Sequence, residues 1–329
     1  MTSRKSIVAS LAFTAVLFLA IAPRASGESP VTALAVSPDG SVVLSGSQAG
    51  LRVHAFPSLE VSRRIKTQLV EICSVRFSPD GRRVAIAGGI PAEGGMVEIR
   101  SWPSLELQRR IEAHADTIQA ISWRDREVFA TASLDRTSLL WDRSKEKPIR
   151  EIIGHSKGLT AATFLGNAGP LMTGSIDQSL RIWDATSGRL IRTLNNHTGP
   201  IHSIAIRPAT GEVGVSVLTM VATVGEDRTV RFWQPTIGRL VRFCRLNAVP
   251  MDAAWSIDGS RLTVVCDDGS VRVINPEIAK EERTLGSLKG WGYTITRHPT
   301  EGQFIAGGHG GELRVFEGKP TRLKPSSSK

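Results

Sequence analysis

Cysteine is scarce in this sequence: Cys73, Cys244 and Cys266 are the only three among 329 residues. An odd number at wide spacings makes no disulfide framework, even where an oxidising compartment would permit bridges. Cys73 and Cys266 lie in apolar strand-like runs, Ile72-Cys73-Ser74-Val75 and Val264-Val265-Cys266, and read as small buried hydrophobes. No Cys-x-x-Cys-His occurs, which excludes haem attached covalently to this chain. No His-Glu-x-x-His occurs either, so the helical zinc signal is missing. The sequence therefore nominates no catalytic, cofactor-binding or metal residue, and no cofactor.

Acidic residues are absent from the first 27 positions. There Arg4 and Lys5 lead an apolar run, Ile7 to Ala22, broken only by Ser10 and Thr14, and Pro23-Arg24-Ala25-Ser26-Gly27 follows. This is the layout of a secretory signal peptide over 1–27, cleaved after Gly27 or a few residues earlier, and it is excluded from the fold. An uncleaved membrane anchor is the alternative, for which the run is short; no cysteine there offers a lipid attachment. The expectation is an exported protein, periplasmic or secreted, touching a membrane only if that anchor is retained. Removing 1–27 lowers the formal charge from +10 to +7. A basic tail over 319–329, with Lys319, Arg322, Lys324 and Lys329, holds four of those charges. The body between, 28–318, is only mildly basic, and an exported protein rarely meets nucleic acid, so no nucleic-acid partner is expected.

What the sequence has instead is repetition. Trp141, Trp183 and Trp233 each sit six residues after an aspartate, Asp135, Asp177 and Asp227, and His114, His155 and His197 open the same units. A period of about 40–50 residues with a Gly-His start and a Trp-Asp end describes propeller blades. Reading strands and turns in that frame gives seven units, at about 31–67, 69–114, 115–155, 156–197, 198–247, 248–290 and 291–318. Turns recur as Ser37-Pro38-Asp39-Gly40, Ser78-Pro79-Asp80-Gly81 and Ser256-Ile257-Asp258-Gly259, where Pro and Gly preset the dihedrals and Asp bonds back to its own backbone. Phe56, Trp102, Trp141, Trp183, Trp233, Ile274 and Phe316 are taken as third-strand endpoints. Phe56-Pro57-Ser58-Leu59-Glu60 and Trp102-Pro103-Ser104-Leu105-Glu106 are near copies.

This grammar resembles the WD40 repeat family over essentially the whole of 28–318, most closely at 114–233, where Trp141-Asp142 and Trp183-Asp184 are its dipeptide and Gly154-His155 its Gly-His. Trp233-Gln234 departs from it. The resemblance implies an all-β fold, a seven-bladed propeller of four-stranded antiparallel blades, in which the last blade can be incomplete. It also implies structural hydrogen-bonded sets: His114, Ser133, Asp135 and Trp141; His155, Ser175, Asp177 and Trp183; and His197, Asp227 and Trp233. In the third set Gly225 stands where the hydroxyl belongs and Thr223 can substitute. Blades ending in Phe56, Ile274 and Phe316 have no such donor and are expected to rest on packing, with Asp268 keeping only a turn. A propeller avoids open strand edges by closing its ring. Here the first strand starts near Val31, so the last fourth strand must come from Lys319 to Pro325, and a poorly sealed junction or a three-stranded last blade is expected.

Such propellers serve as rigid platforms. Carried over position by position, the resemblance places Asp116, Lys157, Thr198, Arg136, Gln178 and Arg228 on the narrow face, where protein or peptide partners dock. A glycine-rich loop, Gly88 to Gly95, reads as a flexible lid there; it lacks the Gly-x-x-x-x-Gly-Lys-Ser/Thr pattern of a phosphate loop. A second insertion runs from Ala209 to Gly214. The function expected is a non-catalytic interaction scaffold of the cell envelope or extracellular space, with other proteins or peptides as partners. The alternative is an exported propeller enzyme, lactonase- or quinoprotein-like, with its site in the central channel.

Overall fold

The computed structural model describes residues 27–166, 169–209 and 219–318. They form a seven-bladed β-propeller of antiparallel sheets, each built from consecutive strands in chain order. Six blades, spanning 33–65, 71–114, 118–153, 159–194, 201–245 and 250–287, have four strands; the seventh, 292–317, has three among the described residues. The expected fourth strand from Lys319 to Pro325 lies outside the described residues, as do 1–26 and all of the second insertion after Ala209.

Each second strand is sandwiched between blades and has no solvent face. Val128–Ser133, Leu171–Ser175 and Val221–Gly225 are buried at every position, so small residues replace the usual in–out alternation. Gly174 shows why: a Cβ there would lie 2.9 Å from Ile201 on the next blade. Outer strands behave oppositely, and Val61–Ile65 exposes its first four residues. Between each pair of neighbouring blades lies an apolar cluster, such as Phe232, Trp255 and Val264 between blades 5 and 6. Burying one such side chain stabilises by about 1.5–3 kcal/mol.

The inner strands at the junction of the last and first blades are packed by the same rule, and of the two outcomes expected there the described residues show the three-stranded last blade. Gly307 leaves room for Val31, whose Cγ1 would lie 2.6 Å from a Cβ there. Val31, Leu34, Val43 and Ile305 form a buried cluster. The Val31 amide donates to the Gly308 carbonyl at 3.0 Å, and His298 stacks on Phe56 with ring centroids 4.5 Å apart.

Strand register corrects two of the expected endpoints. Trp141, Trp183, Trp233, Ile274 and Phe316 lie opposite Phe129, Leu171, Val221, Leu262 and Phe304 of their second strands. The matching places in blades 1 and 2 hold His54, opposite Val43, and Arg100, opposite Val84. Phe56 and Trp102 come two residues later, in turns that open with cis X-Pro peptides. The two copied turns align with each other but not with the later tryptophans.

A signal in the sequence fixes this frame. Nine residues after His54, Arg100, Trp141, Trp183, Trp233 and Ile274 stand Arg63, Arg109, Arg150, Arg192, Arg242 and Arg283. All six share one register position on the outer strands. The first five reach the next blade's turn between its third and fourth strands. Arg63 donates to the carbonyls of Pro103 and Ser104 at 3.4 and 2.9 Å, Arg109 to those of Arg143 and Lys145, and Arg150 to that of Thr186 at 2.9 Å. Arg192 lies over Gly238, and Arg242 is 4.0 Å from Glu277. Two residues beyond each arginine, Ile65, Ile111, Ile152, Leu194, Cys244 and Leu285 each join an inter-blade cluster. Every complete outer strand thus reads Arg-x-apolar.

Candidate docking face and the networks beneath it

In blades 3 to 5 a buried indole N–H needs an acceptor, and a threonine hydroxyl provides it. Trp141 Nε1 donates to Thr131 Oγ1 at 3.1 Å, and Trp183 and Trp233 donate to Thr173 and Thr223 at 2.8 Å. Each hydroxyl also meets Nε2 of His114, His155 or His197 at 2.7–2.8 Å. The opposite ring nitrogens face Asp135, Asp177 and Asp227 at 2.8–3.0 Å. One proton arrangement satisfies the whole chain: indole to threonine, threonine to Nε2, and Nδ1–H to carboxylate. Burial lowers the pKa of His155 and His197, which favours that neutral ring. Burial alone would raise Asp135 and Asp177, yet the hydrogen bonds from His114 and Thr137, and from Ser179 and His155, hold them down to about 2.

The expected Ser133 and Ser175 are not the hydroxyls of these sets. They share a strand face with Thr131 and Thr173, two residues on, but Thr131 lies opposite Leu139, within the diagonal reach of Trp141, while Ser133 lies past a bulge. The serines instead tie two loops together. Ser133 donates to the Asp116 carbonyl and Ser175 to the Gly158 carbonyl, each at 2.8 Å, and they accept the amides of Asp135 and Asp177. Thr223 is therefore not a substitute but the regular member, and Gly225 lacks only the loop tie.

Packing is not the sole support of blades 1, 2 and 6. In blade 1, His54 Nε2 meets Ser45 Oγ at 2.8 Å and Nδ1 meets the Leu59 carbonyl at 2.9 Å. In blade 2 a fully buried Glu98 pairs with Arg100 at 2.6 Å and Arg110 at 3.3 Å. Asp268 does more than shape a turn, because Arg272 joins it to Glu281 and Asn247.

Above the networks, Arg136, Gln178 and Arg228 are exposed on matching turns, with left-handed φ of 77°, 72° and 60°. Gly269 takes the matching place in blade 6, at φ 78°. Lys157 and Thr198 are also exposed. Among the described residues Arg136, Lys157 and Arg228 make no ion pair. Asp116 differs from the other five: half-buried, it accepts the Ala92 amide at 2.9 Å and its neighbour Thr117 at 2.7 Å. That bond anchors the glycine-rich loop, which is a paired hairpin with Gly89 opposite Gly95 and Ile90 opposite Gly94, rather than an open lid.

At the channel mouth the first strands of blades 2 to 7 each bulge by one residue, re-aiming Cys73, Gln119, Thr160, His202, Met251 and Tyr293. His202 meets the Pro250 carbonyl and Glu226, both at 3.1 Å. Burial pushes the Cys73 thiol far up, away from the thiolate. Further along these strands a cavity of about 330 Å³ is lined by Arg76, Asp252 and Arg297. Asp252 crosses three blades there, accepting Ser203 at 2.7 Å, Thr294 at 3.1 Å and the Ile295 amide at 2.9 Å. Among the described residues no three His, Cys, Asp or Glu side chains are placed to hold a metal.

Residues 154–158 spell Gly-x-Ser-x-Gly, a pattern that reading for repeats passes over. A nucleophile elbow needs a strand-to-helix turn, whereas Ser156 joins the strands Arg150–Ile153 and Leu159–Phe164. The adjacent His155 already spends both nitrogens on Asp177 and Thr173.

A family model, "WD domain, G-beta repeat", matches residues 23–53, 146–184 and 188–234. Among curated proteins the chain is similar to nuclear distribution protein PAC1 of Arthroderma benhamiae, 30% identical over 165 residues, covering 46% of this chain and 35% of that protein. It is 28% identical over 177 residues to GID complex subunit 7 of Schizosaccharomyces pombe, covering 52% and 34%. It is 26% identical over 291 residues to telomerase protein component 1 of Rattus norvegicus, covering 85% and 11%. The chain spans about a third or less of these relatives.

Proposed function

From a chain that belongs to the WD40 repeat family, we infer a protein-interaction scaffold that docks partners on its narrow face. One observation carries the reading. Arg136, Gln178 and Arg228 hold long polar side chains in a left-handed backbone where the same fold uses glycine in blade 6. That conformation costs a non-glycine residue about 1–2 kcal/mol, so the side chains are kept for what they touch rather than for the turn. Lys157 adds a third cation to this arc, which suits a protein or peptide segment with acidic character. One similar protein is by name a subunit of a complex.

Export to the cell envelope or beyond is the finer part of the proposal, supported by the basic-then-apolar layout of 1–27. N-terminal sequencing of the protein recovered outside the cytoplasm tests it, with a start at residue 28 or slightly earlier expected. The scaffold reading is tested by affinity capture of the tagged chain against a variant with Arg136→Glu, Lys157→Glu and Arg228→Glu. A partner lost in that variant but kept by an Arg109→Gln variant supports the narrow face. A partner held equally by all three moves docking elsewhere.

A further inference from the structure

The outer edge of the last blade is open among the described residues: no strand pairs with Leu313–Glu317 on the side away from Gln303–Gly308. An unpaired strand edge presents a row of backbone donors and acceptors to any extended chain. What would fit this edge is specified by the other six blades of the molecule itself.

Three features of the complete outer strands, the third shown by five of the six, are missing at the seventh among the described residues. The first is the strand pairing. The second is an apolar residue for the cluster beyond it. Among the described residues the cluster between blades 7 and 1 has four buried members, Val31, Leu34, Val43 and Ile305, none from an outer strand, and leaves Leu313 and Val315 half-exposed. The third is the arginine that reaches the next blade's turn. In blade 2 the carbonyls of Pro103 and Ser104 receive Arg63. The copied turn of blade 1, Phe56-Pro57-Ser58-Leu59, offers the same pair on Pro57 and Ser58, and among the described residues no donor reaches either carbonyl.

We propose that this edge takes an extended segment of a partner protein carrying Arg-x-aliphatic, added as the fourth strand of the last blade. Its arginine sits opposite Val315 and donates to the carbonyls of Pro57 and Ser58. Its aliphatic residue, two positions on, packs on Leu313, Val315 and Val31. Main-chain pairing supplies affinity and the two side chains supply selectivity. The arginine fits better than lysine because its planar fork bonds two carbonyls at once. The segments 1–26 and 319–329 do not carry this pattern. Arginines 4, 24 and 322 are the only ones in 1–26 and 319–329, and each is followed two residues later by Ser6, Ser26 or Lys324, none of them aliphatic. This surface lies on the rim of the propeller and is independent of the narrow-face docking site.

The test uses the full chain and a fluorescein-labelled synthetic peptide with the sequence of residues 60–67, Glu-Val-Ser-Arg-Arg-Ile-Lys-Thr, because its Arg63 already reads the copied turn. Saturable binding by fluorescence anisotropy is expected, with slower hydrogen exchange of the amides of 313–317. An Arg63→Gln peptide should bind about tenfold more weakly, the loss of a charge-assisted pair. Any of three results overturns the proposal: no saturable binding, equal binding of the Arg63→Gln peptide, or amides of 313–317 that without peptide already exchange as slowly as those of Ser270–Asn275. The last would mean that the chain closes its own edge.

Discussion

Nε2 of His298 donates to the Gly40 carbonyl at 2.9 Å, a hydrogen bond across 258 residues of sequence that joins the last blade to the first. Nδ1 of the same ring accepts the Glu301 amide at 3.0 Å, which leaves Nε2 to carry the proton. Gly40 sits at φ 79°, and any side chain there would collide with the imidazole. Removing the ring by His298→Ala leaves the Gly40 carbonyl unpaired and strips the stack from Phe56. A loss of about 2 kcal/mol is expected in urea denaturation. A change within the error of the wild-type midpoint would show that the ring is closed by other contacts.

The threonine assignment separates two hydroxyls two residues apart. Thr173→Val removes the acceptor of Trp183 and the donor to His155 at a fully buried site, and should cost about 2–3 kcal/mol. Ser175→Ala removes a loop tie at the strand end and should cost about 1 kcal/mol. Equal losses, or the reverse order, would restore the serine as the network member.

Stability should fall in two stages on acidification. His155 and His197 have folded pKa values below the ordinary 6.5, because burial disfavours the charged ring. The unfolded chain therefore binds the extra protons, and stability drops as pH falls below 6.5. Asp135 and Asp177 lie near 2 against an ordinary 3.8, so their contribution is present above 3.8 and is lost as pH falls towards 2. Denaturation midpoints measured from pH 7 to pH 3 check this; a midpoint flat down to pH 4 would contradict the buried neutral histidines.

The arginine staples predict a graded effect around the rim. Arg109→Gln frees the carbonyls of Arg143 and Lys145. These are close to solvent, so the expected cost is about 1 kcal/mol. Arg192→Gln loses only cover over Gly238 and should cost less than half of that. Urea midpoints of the two variants give the comparison.

The blade frame was legible because Asp-to-Trp spacing and Ser-Pro-Asp-Gly turns are local chemistry. The hydroxyl was misplaced because Thr131 and Ser133 share a strand face, and only register shows which one the indole can reach. Phe56 and Trp102 drew the frame two residues off in blades 1 and 2, since a large aromatic in a copied turn resembles a strand end. The constant nine residues to Arg63 and Arg109 would have restored it. The ion pair of Glu98 with Arg100 was invisible because alternating charges on a strand look solvated until the fold brings the chain at Lys66 and Gln68 against them. Asp116 could not be told from the other face residues, because its partner is a backbone amide in another blade.

Replacing Arg136, Gln178 and Arg228 together by glycine tests the docking face most directly, because the turn and the side chain then give opposite signs. Relief of three left-handed non-glycine residues should raise stability by about 0.5–1 kcal/mol each. Loss of three exposed side chains should abolish capture of the partner. A variant more stable than the wild type that no longer recovers the partner is the result a docking role predicts. A variant that is more stable and still binds would contradict it, since the three side chains would then have no work on that face.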